Sequence, residues 1–292
     1  MLETVDSPGF AATSFWRPKH LILSAWLEHA PFGSWLLSVT RPRLFAELGT
    51  HSGFSFFAFA ETALRLGLET RFVALDSWAG DDHAGFYSDE VYDEVKRISD
   101  TDYPESTELL RGFFSDSAVH FEDGSIDLLH IDGRHGYEDV KEDFETYRPK
   151  LSDRAVVIFH DTHEFQEGFG VHRFWDEISV TMPSFNFHHG HGLGVLQVGH
   201  DAPAEVTRFL DAARADPEAM RAAYARLGAA VEADYLAQAE LTWLRGENPR
   251  LLGEIDRMHH EAVGLQQQLD QVHASTSWRA TRPLRALRGE RN

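Results

Sequence analysis

Short apolar runs that end in a polar or acidic residue recur through the first 200 residues, each separated from the next by a stretch of helical spacing. Arg43–Leu48, Arg71–Leu75, Thr107–Gly112, Ile126–Ile131 and Ala155–Phe159 are predicted strands. Phe54–Leu66 (FSFFAFAETALRL) is apolar almost all round and is predicted as a buried helix. Tyr87–Ile98 and Tyr137–Tyr147 are acidic amphipathic helices, Asp116–Phe121 is a short one, and Val171–Ile178 begins another. Strands alternating with helices predict an α/β fold, a Rossmann-like doubly wound and mostly parallel sheet covered on both faces. Phe185–Phe187 and Gly194–Val198 are expected to close it as an antiparallel pair at one edge. Ahead of the sheet, Pro18–Leu37 predicts one or two helices interrupted at Pro31–Gly33.

After His200 the pattern is helical. Ala202–Ala213 and Pro217–Trp243 are predicted helices, with a break at Gly246–Pro249. Leu251, Met258, Leu265 and Val272 then recur every seven residues, with Ile255, Ala262 and Leu269 at the offset position. That is about three heptads, a coiled-coil pattern that would make a homo-oligomer through residues 251–275. The end carries Arg279, Arg282, Arg285 and Arg288 with Trp278, Leu284 and Leu287 between them. Pro283 argues against one continuous helix there, and a solvated tail with at most peripheral contact to an anionic membrane is expected. The chain thus divides into a lead-in (1–40), a sheet domain (41–200), a helical and coiled-coil extension (201–275) and a basic tail (276–292).

Composition narrows the function. The 292 residues include no cysteine, which excludes disulfides, thiolate metal ligands and thiol nucleophiles. A net charge of −20 argues against wrapping a nucleic-acid backbone. No apolar run reaches the ~18 residues of a membrane span. MLETVDSPGF lacks the basic start and apolar core of a secretory signal, so a cytoplasmic setting is expected, with the inner membrane face as an extension of it.

The candidate chemistry lies between Ser125 and Thr162. Two successive strands each end in an aspartate, Asp132 and Asp161, with His160 beside the second and His135 three residues past the first. A right-handed crossover brings both strand ends to the same edge of the sheet, where ligands of such folds gather. The turn FAELGTHSGFS (45–55) lets backbone approach a ligand, yet it is neither the dinucleotide fingerprint nor a Walker loop. Asp76, ending the second strand, is placed to accept hydrogen bonds from ribose hydroxyls. Glu47 lies inside a buried strand and needs a partner, for which a cationic ligand is the candidate. His188, His189 and His191 form a second cluster, expected beside the pocket because hairpin and strand ends can meet there, with a polar hairpin tip as the alternative. The same His/Asp group also suits a metal-dependent hydrolase, and the coiled coil suits a non-catalytic scaffold.

The glycine turn and the strand-end acid resemble the class I S-adenosylmethionine-dependent methyltransferases. LLHIDGRHGYEDVKEDFETYRPKL and VVIFHDT bring the chain closer to the metal-dependent sugar and natural-product O-methyltransferases of the macrocin, mycinamicin and cephalosporin-tailoring type. LDSWAGDDHAGFY (75–87), GVHRFWDEI (170–178) and STSWRATRPLR (275–285) are most similar to methyltransferase domains found with bacterial glycosyltransferases of surface-polysaccharide clusters. The resemblance covers roughly residues 40–200. It implies O-methylation of a sugar hydroxyl on a glycan or small-molecule acceptor, with a glycosyltransferase as partner. It also implies a cofactor site of Glu47, Gly49, His51, Gly53, Asp76, Ser77, Trp78, Phe114, Ser115 and Asp132. Asp132, His160 and Asp161 would hold a divalent metal, Mg²⁺ or Mn²⁺, and His135 with Asp132 would be catalytic, His135 as general base. Relatives commonly have an acid where this chain has His160, and an imidazole is a poorer Mg²⁺ ligand than a carboxylate.

Overall fold

The structure, a computed structural model, describes residues 8–81, 85–86 and 88–287. Tyr87, Arg288 and the first seven residues, read above for a helix start, a basic tail and a leader, lie outside the described residues. The chain forms two compact units, Met1–Tyr235 and Leu236–Asn292.

In the first unit, α1 (Ala30–Thr40) leads into β1 (Leu44–Leu48), α2 (Phe54–Leu66) and β2 (Arg71–Asp76). A small ribbon of β3 (Gly80–Asp81) and β4 (Gly85–Phe86) precedes α3 (Asp89–Asp102) and β5 (Thr107–Arg111). Then follow α4 (Phe114–Ser117), β6 (Ile126–Ile131), α5 (Tyr137–Tyr147), β7 (Leu151–His160), α6 (Val171–Ser179), β8 (Ser184–Phe187), β9 (Leu193–Gln197), α7 (Ala204–Ala215) and the start of α8 (Pro217–Ala274). The main sheet has seven strands in the order β5-β2-β1-β6-β7-β9-β8. The first five are parallel; β9 runs antiparallel to β7, and β8 antiparallel to β9. This is the expected Rossmann-like architecture with an antiparallel edge. Both faces are covered. Phe45, Phe56, Phe59 and Phe72 belong to a core shared with α1, α2, α7 and α8, while Leu129, Phe144, Phe159 and Trp175 belong to a second core under α5 and α6.

Three expectations are corrected. The segment 18–26 is not helical, and no interruption falls at Pro31–Gly33: α1 runs through both residues. Pro31 lies in the first turn, where its missing N–H has no partner to lose. A Cβ at Gly33 would stand 2.5 Å from the Trp26 ring, so the glycine is where the lead-in packs onto the helix. β7 begins earlier than the apolar run, at Leu151, because its polar residues find partners: Ser152 Oγ donates to Asp127 Oδ1 at 2.6 Å and Arg154 Nη2 to Thr40 O at 2.9 Å.

The break expected at Gly246–Pro249 does not occur, and α8 continues through Pro249. The proline ring holds a φ close to the helical value and removes one hydrogen bond, which the flanking turns tolerate. The described part of the tail is helical rather than irregular: α9 (Thr276–Ala280) and α10 (Arg282–Leu287). Ser275 Oγ caps α9 through Trp278 N, Pro283 falls in the first turn of α10, and the Arg285 guanidinium lies 3.6 Å over the Trp278 ring. Among the described residues no helix is long and apolar enough to cross a membrane.

Candidate functional site

A cleft of about 620 Å³ opens across the carboxyl ends of β2, β1, β6 and β7. β1 lies between β2 and β6, so the chain leaving Leu48 must turn within a confined space. Gly49 N donates to Leu75 O at 2.9 Å, and Asp132 N donates to Leu48 O at 2.8 Å. Gly49 has φ of 90°, and a Cβ there would stand 2.0 Å from Asp132 O. Both its backbone angle and its surroundings therefore require glycine.

Asp76 holds this turn in place. Its Oδ2 accepts from Thr50 N at 2.9 Å and His51 N at 2.8 Å, and its Oδ1 accepts from Trp78 N at 2.7 Å. A carboxylate has about four lone-pair sites, so one remains, on Oδ1, for a ligand hydroxyl. His51, Ser77, Phe114 and Ser115 line the cleft with Gly49 and Asp76. Glu47, Gly53 and Trp78 lie behind its wall. Gly53 opens α2 at φ 83°, and Trp78 is 1% exposed with its Nε1 donating to His51 O at 2.9 Å.

Glu47 corrects an expectation. Its partner is His130, the residue opposite it on the neighbouring strand, with His130 Nδ1 at 2.8 Å from Glu47 Oε2 and both side chains fully buried. Among the described residues, Glu47 Oε1 and His130 Nε2 are left without a hydrogen-bond partner. Burial pushes the Glu47 carboxyl up, against the pull of His130 and of Ser55 close by.

Asp132, His135, His160 and Asp161 all line the cleft, although they leave from two strands and a loop. His160 Nδ1 is 3.2 Å from Asp132 Oδ1 and 3.4 Å from Asp161 Oδ2, while its Nε2 meets Gly190 O at 3.1 Å. Both ring nitrogens thus face acceptors. Burial would lower the pKa of His160, but the two carboxylates override it and hold it well above the usual value. The charged ring is a donor bridging the two acids. Asp161, in the left-handed region at φ 59°, also meets His135 Nε2 at 2.9 Å. Burial would raise Asp161, and His160 and His135 instead hold it well below the carboxylate range. The groups whose ligand atoms converge, all within 4.8 Å, are Asp132, His135 and Asp161. His160 sits against the two carboxylates of that group rather than within it.

Several residues went unrecognised in the sequence. Leu23–Trp26 lines the cleft because the lead-in folds over the strand ends. Asp143 also lines it, beside Gly133 and Phe114, with its carboxyl pushed up to about 7 by burial and by the Asp139 carboxylate, partly offset by Arg134. One signal was available for it, as an acid one turn from Asp139 on the same helix. The second histidine cluster divides. The ring of His189 lies 4.8 Å from that of His29, His191 Nδ1 is 2.8 Å from Glu164, and His188 stacks on His163 at 4.2 Å. None of the three lines the cleft.

Residues 46–162, which include every residue of the convergent group, match a family model described as a methyltransferase domain. Over this stretch, which carries the strand-end acids and the glycine turn of the Rossmann-like sheet, the chain is similar to that family. A curated relative, the uncharacterized protein y4gI of Sinorhizobium fredii, is 49% identical over 178 residues, or 61% of this chain and 20% of the relative. The chain therefore spans about one fifth of that protein's length. Among solved structures, the O-methyltransferase TomG from Streptomyces achromogenes, in complex with SAM and involved in tomaymycin synthesis, is 16% identical over 62% of this chain and 83% of its own, with a TM-score of 0.47. The O-methyltransferase from Bacillus cereus, in complex with SAH, is 17% identical over 62% and 84%, with a TM-score of 0.45.

Proposed function

We propose that this chain transfers the methyl group of S-adenosylmethionine to a hydroxyl oxygen of a sugar-bearing acceptor, a bacterial glycan or glycosylated metabolite, with a divalent ion at Asp132 and Asp161. The observation that carries the reading is the convergence of Asp132, His135 and Asp161 in the cleft that the Gly49 turn and Asp76 also line.

The residues present fit both groups. The cleft has the volume of a small-molecule site. Asp76 keeps one acceptor position for a ribose hydroxyl, the Gly49 turn admits close approach of a ligand, and Phe114 offers an apolar face to a base. The two carboxylates, Asp132 and Asp161, suit Mg²⁺ or Mn²⁺ and leave His135 for proton removal. The sulfonium cofactor brings the electrophilic methyl, and a divalent ion supplies Lewis-acid polarisation of the acceptor hydroxyl. The protein's part is alignment and proton removal. His135 takes the hydroxyl proton; once charged, it donates through Nε2 to Asp161, which orients the ring and stabilises its charge. His160 lies between the two aspartates and the Gly190 carbonyl and, with His135, holds Asp161 well below the carboxylate range.

The test is calorimetric titration of S-adenosylhomocysteine into the full chain, with and without Mg²⁺ or Mn²⁺. Micromolar binding that His135→Ala leaves intact is the expected result. Absence of binding in both conditions removes the reading.

A further inference from the structure

The second unit leaves a row of large apolar side chains in solvent, and their spacing is regular. Because α8 does not break at Pro249, the seven-residue repeat seen from Leu251 onward runs back through Asn248 to Leu244 and Leu241. Leu241, Asn248, Ile255, Ala262 and Leu269 share one seam position, and Leu244, Leu251, Met258, Leu265 and Val272 share the other. The large members are exposed by 40% at Leu244 to 65% at Leu265, a continuous stripe of the kind that coiled-coil partners cover. Pro249 falls just beside the stripe, outside the seam positions. Asn248 is the single amide in an otherwise apolar seam, at the position where a buried asparagine selects two strands and one register by pairing with its own copy.

Charge sets the direction. The position preceding the first seam residue carries Glu240, Glu247, Glu254 and Glu261, and Gln268 in the last repeat. In a parallel pair this row faces the residue five further along on the other helix, which places Glu240 against Arg245 of the second copy and Glu254 against His259 of the second copy. In an antiparallel pair the same row faces itself, glutamate against glutamate, which is repulsive. We propose that residues 241–272 pair with the same residues of a second copy of this chain as a parallel, two-stranded coiled coil registered by Asn248. The pairing is independent of the chemistry proposed for the first unit.

Sedimentation equilibrium of the full chain tests it. The expected mass is twice the 33.1 kDa of one chain. Met258→Glu with Leu265→Glu should raise the dissociation constant by about 100-fold or more, since each places a charge in the seam. A monomer at all concentrations, as a coil reserved for a different protein would give, overturns the proposal. Asn248→Val should admit species larger than a dimer, and an unchanged clean dimer overturns the registering role. The chain has no cysteine, so Leu251→Cys and Ala262→Cys, which would face each other in an antiparallel pairing of residues 241–272, each carry a single thiol. In a parallel pair each variant alone forms a disulfide-linked dimer on mild oxidation. Cross-linking only when the two variants are mixed is the antiparallel result and overturns the orientation.

Discussion

Glu47 with His130 and Asp161 with His135 are the same chemical pair in two settings. The first lies inside the sheet, on adjacent strands, with both side chains at 0% exposure. The second lies at the strand ends, with side chains 9% and 17% exposed and open to the cleft. In the interior the imidazole and the carboxyl make one contact with each other, and Glu47 Oε1 and His130 Nε2 have no further hydrogen-bond partner among the described residues. At the strand ends the carboxylate meets two imidazoles and stands beside a second acid, so the set can take up a cation or a proton. A few ångströms along a strand separate a pair that holds the sheet together from one that can do chemistry.

Breaking the connection between the two settings should have the largest effect. Gly49→Ala drives a Cβ into the Asp132 carbonyl and should cost more than about 4 kcal/mol, through a clash that backbone cannot relieve. Urea denaturation would show it as a collapsed midpoint or no folded protein.

The interior pair can be tested by itself. Glu47→Leu leaves His130 buried without its acid and should cost about 3 kcal/mol, whereas Glu47→Leu with His130→Leu should recover much of that loss. A double-mutant cycle by denaturation measures the coupling; simple additivity would mean that the pair is incidental.

The strand-end pair should behave in the opposite way. Asp161→Asn keeps the side chain's shape and leaves Asp132 beside His160, so it is expected to cost less stability than Glu47→Leu and to lower the proposed methyl transfer by about 100-fold or more. A stability loss as large as that of Glu47→Leu would place Asp161 with the interior pair.

The smallest effect concerns Asp143, a cleft acid with an acid, Asp139, rather than an imidazole as its neighbour. Its folded pKa is raised to about 7, so it binds its proton more tightly folded than unfolded. The stability this contributes is full below about pH 4, the unfolded value, and is lost as the pH rises through about 7. Asp143→Asn should therefore unfold at a higher temperature than the parent at pH 8 and at nearly the same temperature at pH 4. Equal melting temperatures at both pH values would show that the acid is solvated.

The strand-end chemistry was legible because it depends on local order. Asp132 and Asp161 each end an apolar run, and parallel strands joined by a crossover present those ends together. His135 followed from its spacing to Asp132. Glu47 was legible only as an anomaly, because its partner lies 83 residues away and is chosen by strand register. The burial of Trp78 and its Nε1 bond to His51 O were not legible, because they depend on the turn from β1 meeting the end of β2. Pro249 suggested a helix end from local propensity, and the helix on either side overrode it.

By itself, then, the pattern of this sequence determined the alternation of strands and helices, the two aspartates at neighbouring strand ends, the glycine turn and the heptad seam, because each depends on residues close in the chain. Only the tertiary structure decided that His130 belongs to Glu47, that His160 bridges two acids, and that Leu23–Trp26 reaches the cleft. Those outcomes depend on which distant groups become neighbours when the core closes, and a buried charge or hydroxyl accepts whichever partner that closure brings within hydrogen-bond reach.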